Sequence, residues 1–489
     1  MTSTVVVIDG KSLTCVMLAE VARQRASVAV GEPALAAARA AWLTGQELAA
    51  RQPVYGRNTG VGANHVVGLT GRDQAEHGIR LLRSHAAGTG PLLAPEVARA
   101  MLVVRLNQLG AGGSGVDPAL LPVLADAVNR GFTPPVPLYG AIGTGDLTAL
   151  ASTGLCLLGE RAWQGGTGPP PRFAIRTSEA LGFISSSAAT LGDAALACCD
   201  LAALLRAAIP VAALSLVAVR GSAEPYAEAV QRARPHPGQQ RVAASMRTLL
   251  AAAAHPPARV QDPYGYRTFP QVHGPALDSV GHAASVLETE LNGRAENPLI
   301  DVAGHAAWHN GNFHAAYAGL ALDAVRAALF QTAALSVARL GTLMEPSFTG
   351  LNAFLAADGA SSGVMILEYV AHSAVADIRR FATPAALGGA VLSRGVEEHA
   401  GFATQSARAT SDAAAAYRAV LACELIAAIR ALRLQDRAPV GGAGLREAYD
   451  LADAALERAT ADRPLDDDLA AADGVLAALA AVAPWPAGG

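Results

Sequence analysis

Long helical segments in the second half of the sequence most constrain what this chain can fold into. From Ala189 onward, apolar residues, many of them alanine, recur with helical spacing over runs that exceed the average globular helix. Runs of this length are typical of a helical bundle. The clearest predicted helices are Ala189–Ile209, Val211–Arg220, Ala276–Leu291, Phe313–Leu340 and Ala403–Leu434.

The first part of the chain is less regular and predicts a separate cap. Thr4–Val7 is β-branched and predicts a short strand, whereas Cys15–Arg23 and Glu32–Glu47 have helical spacing. A chain of 489 residues has ample material for a large core. We therefore expect an N-terminal cap domain over residues 1–190, a central long-helix bundle over 191–435 and a C-terminal helical segment over 436–489.

Charge and hydropathy exclude several classes of function. The formal net charge is -4, and the arginines are scattered instead of forming a stripe, which argues against nucleic acid as a partner. The longest apolar runs are interrupted by residues such as Arg206 and Asp323, so no membrane-spanning segment is expected. The N-terminus lacks a basic start and a signal-type apolar stretch. We expect a cytoplasmic protein with no membrane partner.

Cysteine, histidine and lysine usage limits the available chemistry. The five cysteines lie in apolar surroundings without a CxxC pattern, which is typical of buried thiols in a reducing compartment. His305, His309 and His314 span a glycine-containing turn that supplies no carboxylate, so no metal site is expected. Lys11 is the only lysine, which nearly excludes a pyridoxal Schiff base. We expect no external cofactor.

A glycine-rich turn interrupts the alanine-rich and leucine-rich sequence near residue 144. Gly143 and Gly145 flank Thr144, and glycine at these positions permits positive φ and close backbone approach. Asp146 can cap the helical run that begins at Leu147. The plainest interpretation is the start of a helix that displays one hydroxyl group.

Two further segments are too polar and too rich in turns for simple packing. Residues 53–64 form a glycine-rich segment with Tyr55 near its start and predict a mobile loop. Residues 261–274 place Gln261, Tyr264 and Arg267 in one connector, and a planar guanidinium suits bidentate binding of a carboxylate. Arg267 could instead pair with its acidic neighbour Asp262.

These segments together resemble the ammonia-lyase and aminomutase family that acts on histidine, phenylalanine and tyrosine. The family's Ala-Ser-Gly triad cyclises into a methylidene-imidazolone (MIO) electrophile, and this chain has Gly143-Thr144-Gly145 in its place. Dehydration of a threonine would leave a methyl-substituted, less electrophilic alkene. Ser185 stands where the family has an asparagine that contacts the electrophile. The resemblance thus leaves open whether the electrophile forms.

The resemblance also implies roles for individual residues. Tyr55 matches the tyrosine that takes the substrate's β-proton, and Arg267 matches the arginine that holds the carboxylate. Glu397 matches a glutamate that meets the substrate's amine or ring, although capping a helix start explains it equally well. Paired with Glu398 beside His399, it could form a proton relay. The remaining implied site residues are His85, Gln261, Tyr264, Asn312 and Phe313.

The fold implied by the resemblance is all-α, an aspartase-like long helical bundle with an N-terminal cap. It implies a homotetramer whose pockets combine the Thr144 turn, the Tyr55 and Arg267 elements and the Glu397 loop from different chains. Three functions stay open. The first is a lyase-like enzyme for a small amino-acid-like or aryl carboxylate, with Tyr55 moving the proton and without the standard MIO group. The second is an ordinary ammonia-lyase or aminomutase with a Thr-derived electrophile, and the third is a non-catalytic homologue.

Overall fold

The computed structural model describes residues 4–251, 256–439 and 443–485, so parts of the predicted segment 436–489 lie outside the described residues. The chain divides into two compact units. Unit 1 comprises Met1–Cys199, Ala283–Leu322 and Pro384–Arg408, and unit 2 comprises Asp200–His282, Asp323–Thr383 and Ala409–Gly489. The prediction divided the chain into three consecutive segments, whereas these units are interleaved along the sequence.

Unit 1 contains helices of up to 20 residues and, among its described residues, four two-stranded sheets. Its helices are α1 (Cys15–Ala22), α2 (Glu32–Arg51), α3 (Gly71–His85), α4 (Pro95–Gly110), α5 (Leu120–Asn129), α6 (Leu147–Leu158) and α7 (Ala180–Ile184). Its strands are β1 (Thr4–Ile8), β2 (Ala26–Val30), β3 (Thr89–Leu92), β4 (Phe132–Thr133), β5 (Pro137–Tyr139), β6 (Gln164–Gly165), β7 (Leu299–Asp301) and β8 (Ala306–Trp308). β1 and β2 pair in parallel, and β3–β5, β4–β6 and β7–β8 are antiparallel. The strand predicted at Thr4–Val7 is confirmed.

Four long helices contribute residues to both units and confirm the all-α prediction. They are α8 (Ala188–Ala218), α12 (Phe269–Leu291), α13 (Ala316–Met344) and α16 (Ala403–Leu434). The prediction broke α8 at Pro210 and began α12 after Pro275, but both prolines lie inside continuous helices. A proline costs a helix one hydrogen bond, and in α8 the residues on both sides of Pro210 are buried, which offsets that cost.

The helices that lie only in unit 2 are α9 (Glu228–Ala233), α10 (Pro237–Leu250), α11 (Tyr264–Arg267), α14 (Pro346–Thr349), α15 (Ile366–Phe381), α17 (Ala443–Ala455) and α18 (Asp466–Val482).

A buried ion pair lies in unit 2. Arg339 Nε and Nη2 donate to Glu424 Oε1 and Oε2 at 2.6 and 2.7 Å, and Ser215 Oγ donates to Oε1 at 2.7 Å. The carboxylate is thus satisfied although both charged side chains are buried.

By hydropathy alone, two helical stretches among the described residues could cross a membrane, although the interrupted apolar runs predicted none. They are Thr177–Ala218 and Ala316–Met344. In the structure 83% and 56% of their most apolar windows are buried inside the protein, as in core helices. Length and composition are therefore weak evidence of a membrane segment here.

Candidate functional site

The Gly143–Asp146 turn connects β5 to α6 and is held by backbone groups from distant segments. Gly143 and Gly145 have φ values of +86° and +101°, which only glycine adopts without strain. The Ala315 N–H donates to Gly143 O at 3.0 Å, and the Phe402 N–H donates to Ile142 O at 2.9 Å. Both sides of the turn are thereby fixed.

Asp146 anchors the turn, but not by capping α6 with its side chain. Its carboxylate is fully buried and accepts hydrogen bonds from the N–H and O–H of Thr190 at 2.8 and 2.9 Å. Only its backbone carbonyl joins the helix, by accepting the Leu150 N–H at 3.1 Å. Burial raises the pKa of Asp146, and the Thr190 hydrogen bonds oppose that shift. The predicted side-chain cap is therefore replaced by a link to α8.

A cavity of about 340 Å³ opens in front of this turn, and all its lining residues belong to unit 1. Five residues singled out from the sequence line it, namely Tyr55, Thr144, Ser185, Phe313 and Glu397, together with Gly145 of the turn. The other lining residues are Gly62, His65, Leu147, Leu181, Asn297, Asn310 and Val396. A single chain thus brings together Tyr55, Thr144 and Glu397, which the resemblance assigned to different chains.

Tyr55 presents its phenol to the cavity from a turn that follows α2. Its oxygen accepts the Gly62 N–H at 2.7 Å, and its backbone N–H donates to His309 Nε2 at 3.3 Å. Burial raises the pKa of Tyr55, the Gly62 hydrogen bond opposes this, and the nearby Glu397 carboxylate raises it further. The phenol is therefore neutral around pH 7, and its hydroxyl proton must move before it can act as a base.

The Tyr55 turn is held firmly where the sequence predicted a mobile loop. Asn58 Oδ1 accepts the Val54 N–H at 2.7 Å. Arg57 is buried, and its Nη2 donates to the carbonyl oxygens of Ser114 and Gly115 at 2.9 and 2.7 Å. Burial lowers the pKa of Arg57 to about 10. Sequence reasoning missed Arg57, because nothing in the pattern signals a buried guanidinium that bonds to backbone carbonyls.

Ser185 lies at the end of α7 with its hydroxyl group engaged. The Asn297 N–H donates to Ser185 Oγ at 3.0 Å, and the Asn310 N–H donates to Asn297 Oδ1 at 3.0 Å. A buried ion pair between Arg105 Nη1 and Glu296 Oε1 at 2.9 Å fixes this region. Asn297 and Asn310 line the cavity as well but were not predicted as site residues.

Phe313 and Glu397 reach the cavity on segments that two histidines join. His314 Nε2 lies 3.0 Å from His399 Nδ1, and the two rings are 5.0 Å apart. Burial lowers the pKa of His314, and His399 lowers it further. The sequence suggested a relay from Glu397 and Glu398 to His399, but the structure pairs His399 with His314. The histidine pair thus links the 313–315 segment to the Glu397 loop.

Two predicted binding residues of unit 1 do not line this cavity. His85 ends α3, where its Nδ1 donates to Leu81 O at 2.9 Å. Asn312 donates from Nδ2 to Arg294 O at 3.2 Å and is exposed. Both side chains bond to local backbone carbonyls in the single chain, and their role in substrate binding stays a prediction.

The predicted carboxylate-binding connector belongs to unit 2. Gln261 and Arg267 line a separate pocket of about 350 Å³, and the Arg267 guanidinium stacks 4.3 Å above the exposed Tyr264 ring. Asp262 does not pair with Arg267; it accepts from Arg259 Nε at 3.1 Å. Among the described residues Arg267 Nε has no hydrogen-bond partner. This unpartnered nitrogen is itself buried, and Arg267 lines the pocket beside Gln261.

Comparison with known proteins identifies the group to which this arrangement belongs. Residues 13–454 match the sequence model described as aromatic amino acid lyase. The chain belongs to the aromatic amino acid lyase family. It is 34% identical to the histidine ammonia-lyases of Streptomyces coelicolor and Stigmatella aurantiaca, over 494 and 491 residues and 96% of each chain. This membership makes the chain a C–N lyase enzyme.

Solved structures of aromatic amino acid lyase family proteins share the fold. Histidine ammonia-lyase from Trypanosoma cruzi superposes with a TM-score of 0.90 at 27% identity, covering 98% of this chain and 96% of that one. Tyrosine aminomutase from Streptomyces globisporus gives 0.90 at 28% identity, with 97% of both chains covered. Ergothionase from Treponema denticola, an ergothioneine-degrading enzyme, gives 0.90 at 25% identity, covering 97% of this chain and 99% of that one.

The turn and Ser185 do not fit the standard MIO electrophile in three respects. A Cβ at Gly143 would lie 2.5 Å from the backbone nitrogen of Ala403, so the alanine of the usual triad has no room. Ser185, which replaces the asparagine, uses its oxygen to accept the Asn297 N–H. Thr144 also brings an extra methyl group to the carbon that a nucleophile would attack. The chemistry proposed below therefore relies on the side chains of this chain.

Proposed function

We propose that this lyase eliminates a nitrogen group from a small amino-acid-like or aryl carboxylate substrate, with Tyr55 as the base and without the standard MIO electrophile. The observation that carries the proposal is the convergence of the Tyr55 phenol, the Thr144 turn and the Glu397 carboxylate on one cavity. Once it has lost its hydroxyl proton, a phenolate can take a proton from carbon, and a carboxylate beside it stabilises a cationic nitrogen.

The substrate's own charges account for its orientation in this proposal. Its cationic nitrogen or ring lies near Glu397, and its apolar part lies against Phe313. A guanidinium is suited to the carboxylate, so Arg267 holds it, supplied by another copy of the chain in a homotetramer. Bringing these groups together excludes water and fixes the angle at which Tyr55 meets the C–H bond. The enzyme acts in the cytoplasm, without nucleic acid or membrane partners.

The substrates named by the relatives provide the first test. Purified protein is incubated with L-histidine, L-tyrosine, L-phenylalanine and ergothioneine, and the unsaturated acid is followed by ultraviolet absorbance. We expect turnover of at least one, and Tyr55→Phe to lower kcat by about 10²–10⁴-fold. Tyr369→Phe alters an exposed tyrosine of unit 2 and is the matched control. Equal rates for Tyr55→Phe and the wild type would refute the role of Tyr55.

Ergothioneine merits inclusion because of its leaving group. It carries a trimethylammonium group, which departs as a neutral amine without first being attached to an electrophile. A cavity with an altered turn and an intact base suits such a substrate. The likeness to ergothionase supports testing it, at 25% identity over 97% of this chain.

A second candidate is an ordinary histidine or aromatic amino acid ammonia-lyase or aminomutase that uses a Thr-derived group. The 34% identity to histidine ammonia-lyases favours it. Intact mass spectrometry separates the two candidates. Our proposal expects the mass of the translated chain, and a mass lower by two water molecules would favour the second. A non-catalytic homologue would show no turnover and no effect of Tyr55→Phe or Arg267→Ala in any assay.

A further inference from the structure

His65 is a cavity residue that neither the sequence motifs nor the comparisons assign. It follows the short 3-10 turn Gly62–Asn64, and its side chain lines the cavity together with Tyr55, Thr144 and Glu397. Tyr55, His65 and Glu397 are the ionisable side chains in this lining. Of these three, only His65 is able to carry a positive charge.

The tautomer of His65 follows from its hydrogen bond. Nδ1 lies 2.8 Å from the carbonyl oxygen of Gly62. A carbonyl oxygen only accepts, so Nδ1 must carry the proton. In the neutral ring Nε2 is then the unprotonated nitrogen and can accept a hydrogen bond. His65 is exposed, and no described residue donates to its Nε2.

Gly62 holds His65 and Tyr55 at the same time. Its N–H donates to the Tyr55 oxygen at 2.7 Å, while its carbonyl accepts from His65 Nδ1. The turn is in turn fastened to the Glu397 segment, because the Ala63 N–H donates to Ser393 Oγ at 3.1 Å. Gly62 therefore holds both the phenol and the imidazole, on a turn that is bonded to the segment that carries Glu397.

We propose that His65 is the second proton-transfer residue of this cavity, the group that relieves Tyr55 of its proton and returns it to the departing nitrogen. This inference rests on the proposed function. The Tyr55 hydroxyl proton passes to His65 Nε2, which gives a phenolate and an imidazolium. The phenolate takes the proton from the substrate C–H bond, and the released electron pair forms the carbon–carbon double bond.

The C–N bond completes the balance of the step. It breaks with its electron pair going to nitrogen, and that nitrogen receives the Nε2 proton of His65. Tyr55 is then a phenol again and His65 is neutral, so both residues return to their starting states. The carboxylate of Glu397 stabilises the imidazolium while it exists. Arg394, Ser393 and Glu398 lie on the same segment as Glu397 and stay outside the cavity lining.

The kinetic test compares His65→Gln with the wild type from about pH 5.5 to 9, on a substrate that the wild type turns over. Glutamine keeps a donor for Gly62 O but cannot shuttle a proton. We expect kcat to fall by about 10²–10⁴-fold, with KM nearly unchanged and the acid limb of the kcat profile lost. His236→Gln, an exposed histidine of unit 2, is the control and should match the wild type. A wild-type kcat profile for His65→Gln would overturn the inference while leaving the proposed function intact.

A second measurement tests the tautomer of His65 even if no tested compound is turned over. Protein labelled with ¹⁵N-histidine is compared with labelled His65→Gln, which assigns the two His65 ring nitrogens. At a pH where the ring is neutral, we expect the Nδ1–H tautomer, which is the less common one for free imidazoles in water. Finding the proton on Nε2 would overturn the inference, because that nitrogen could not then accept from Tyr55.

Discussion

Gly143→Ala tests whether the close approach of the 402–403 segment shapes the turn. The added Cβ would lie 2.5 Å from Ala403 N and 3.1 Å from Phe402 N, and both neighbours are backbone atoms that cannot rotate away. The residue would also keep a φ of +86°. Alanine in that region costs roughly 1–2 kcal/mol. Forcing one extra methyl into a packed site costs about 1–3 kcal/mol more.

The two costs add to about 2–5 kcal/mol of lost stability, since they concern backbone conformation and packing separately. At roughly 2–4 °C per kcal/mol for domains of comparable size, the midpoint of thermal unfolding falls by at least about 4 °C. Differential scanning calorimetry measures that shift. Hydrogen exchange at Ala315 and Phe402 should also accelerate, because these amides bond to the turn.

Gly389→Ala is the matched control for this substitution. It lies in the same unit, and a Cβ there meets nothing within 4 Å and needs no left-handed backbone. We expect it to leave the midpoint unchanged or slightly raised, because alanine restricts the unfolded chain. If Gly143→Ala unfolds at the wild-type temperature with wild-type exchange at Ala315 and Phe402, then the turn does not depend on the missing side chain and our account of it fails.

Three further predictions concern polar side chains. Burial lowers the pKa of His273 to about 3 from an ordinary value near 6.5. Between these values the unfolded chain binds more protons than the folded chain, so the free energy of unfolding decreases as the pH is lowered. His273 therefore lowers the free energy of unfolding by about 2 kcal/mol between pH 6.5 and 5. Urea titrations should show this loss in the wild type and in His282→Gln, a control at an exposed histidine, but not in His273→Gln. Glu424→Gln leaves Arg339 buried without its charge partner and should cost about 3–5 kcal/mol in urea unfolding, and a cost below about 1 kcal/mol would contradict this. His399→Ala removes the bond to His314 and should speed amide exchange in residues 393–402 by up to roughly tenfold, and unchanged exchange would show that the histidine pair does not hold this loop.

Helical periodicity predicted most of the fold, and its errors have a physical cause. The predicted end of α16 at Leu434 and its start at Ala403 agree with the structure, because the apolar pattern is uninterrupted between them. Pro210 and Pro275 misled the prediction, since a local rule ends a helix at proline while burial keeps it intact. Periodicity did not predict the short sheets, because strands of two or three residues, such as β4 and β6, form by pairing between distant segments.

The candidate site was predictable only where a motif carried it. Tyr55, Thr144 and Glu397 stand in recognisable segments, and all three line the cavity. His65 was missed because its importance comes from the Gly62 carbonyl and not from any pattern in sequence. His85 stands in a matching motif, but a motif cannot show that its ring bonds to the Leu81 carbonyl or that it lies outside the cavity lining of one chain.

The turn at Gly143 owes its shape to amide groups of Ala315 and Phe402, which every amino acid at those two positions except proline would supply. Mutation can therefore exchange the hydroxyl at 144 without removing these two backbone hydrogen bonds. Proteins with such a framework can change the reaction they catalyse while their backbone fold stays the same.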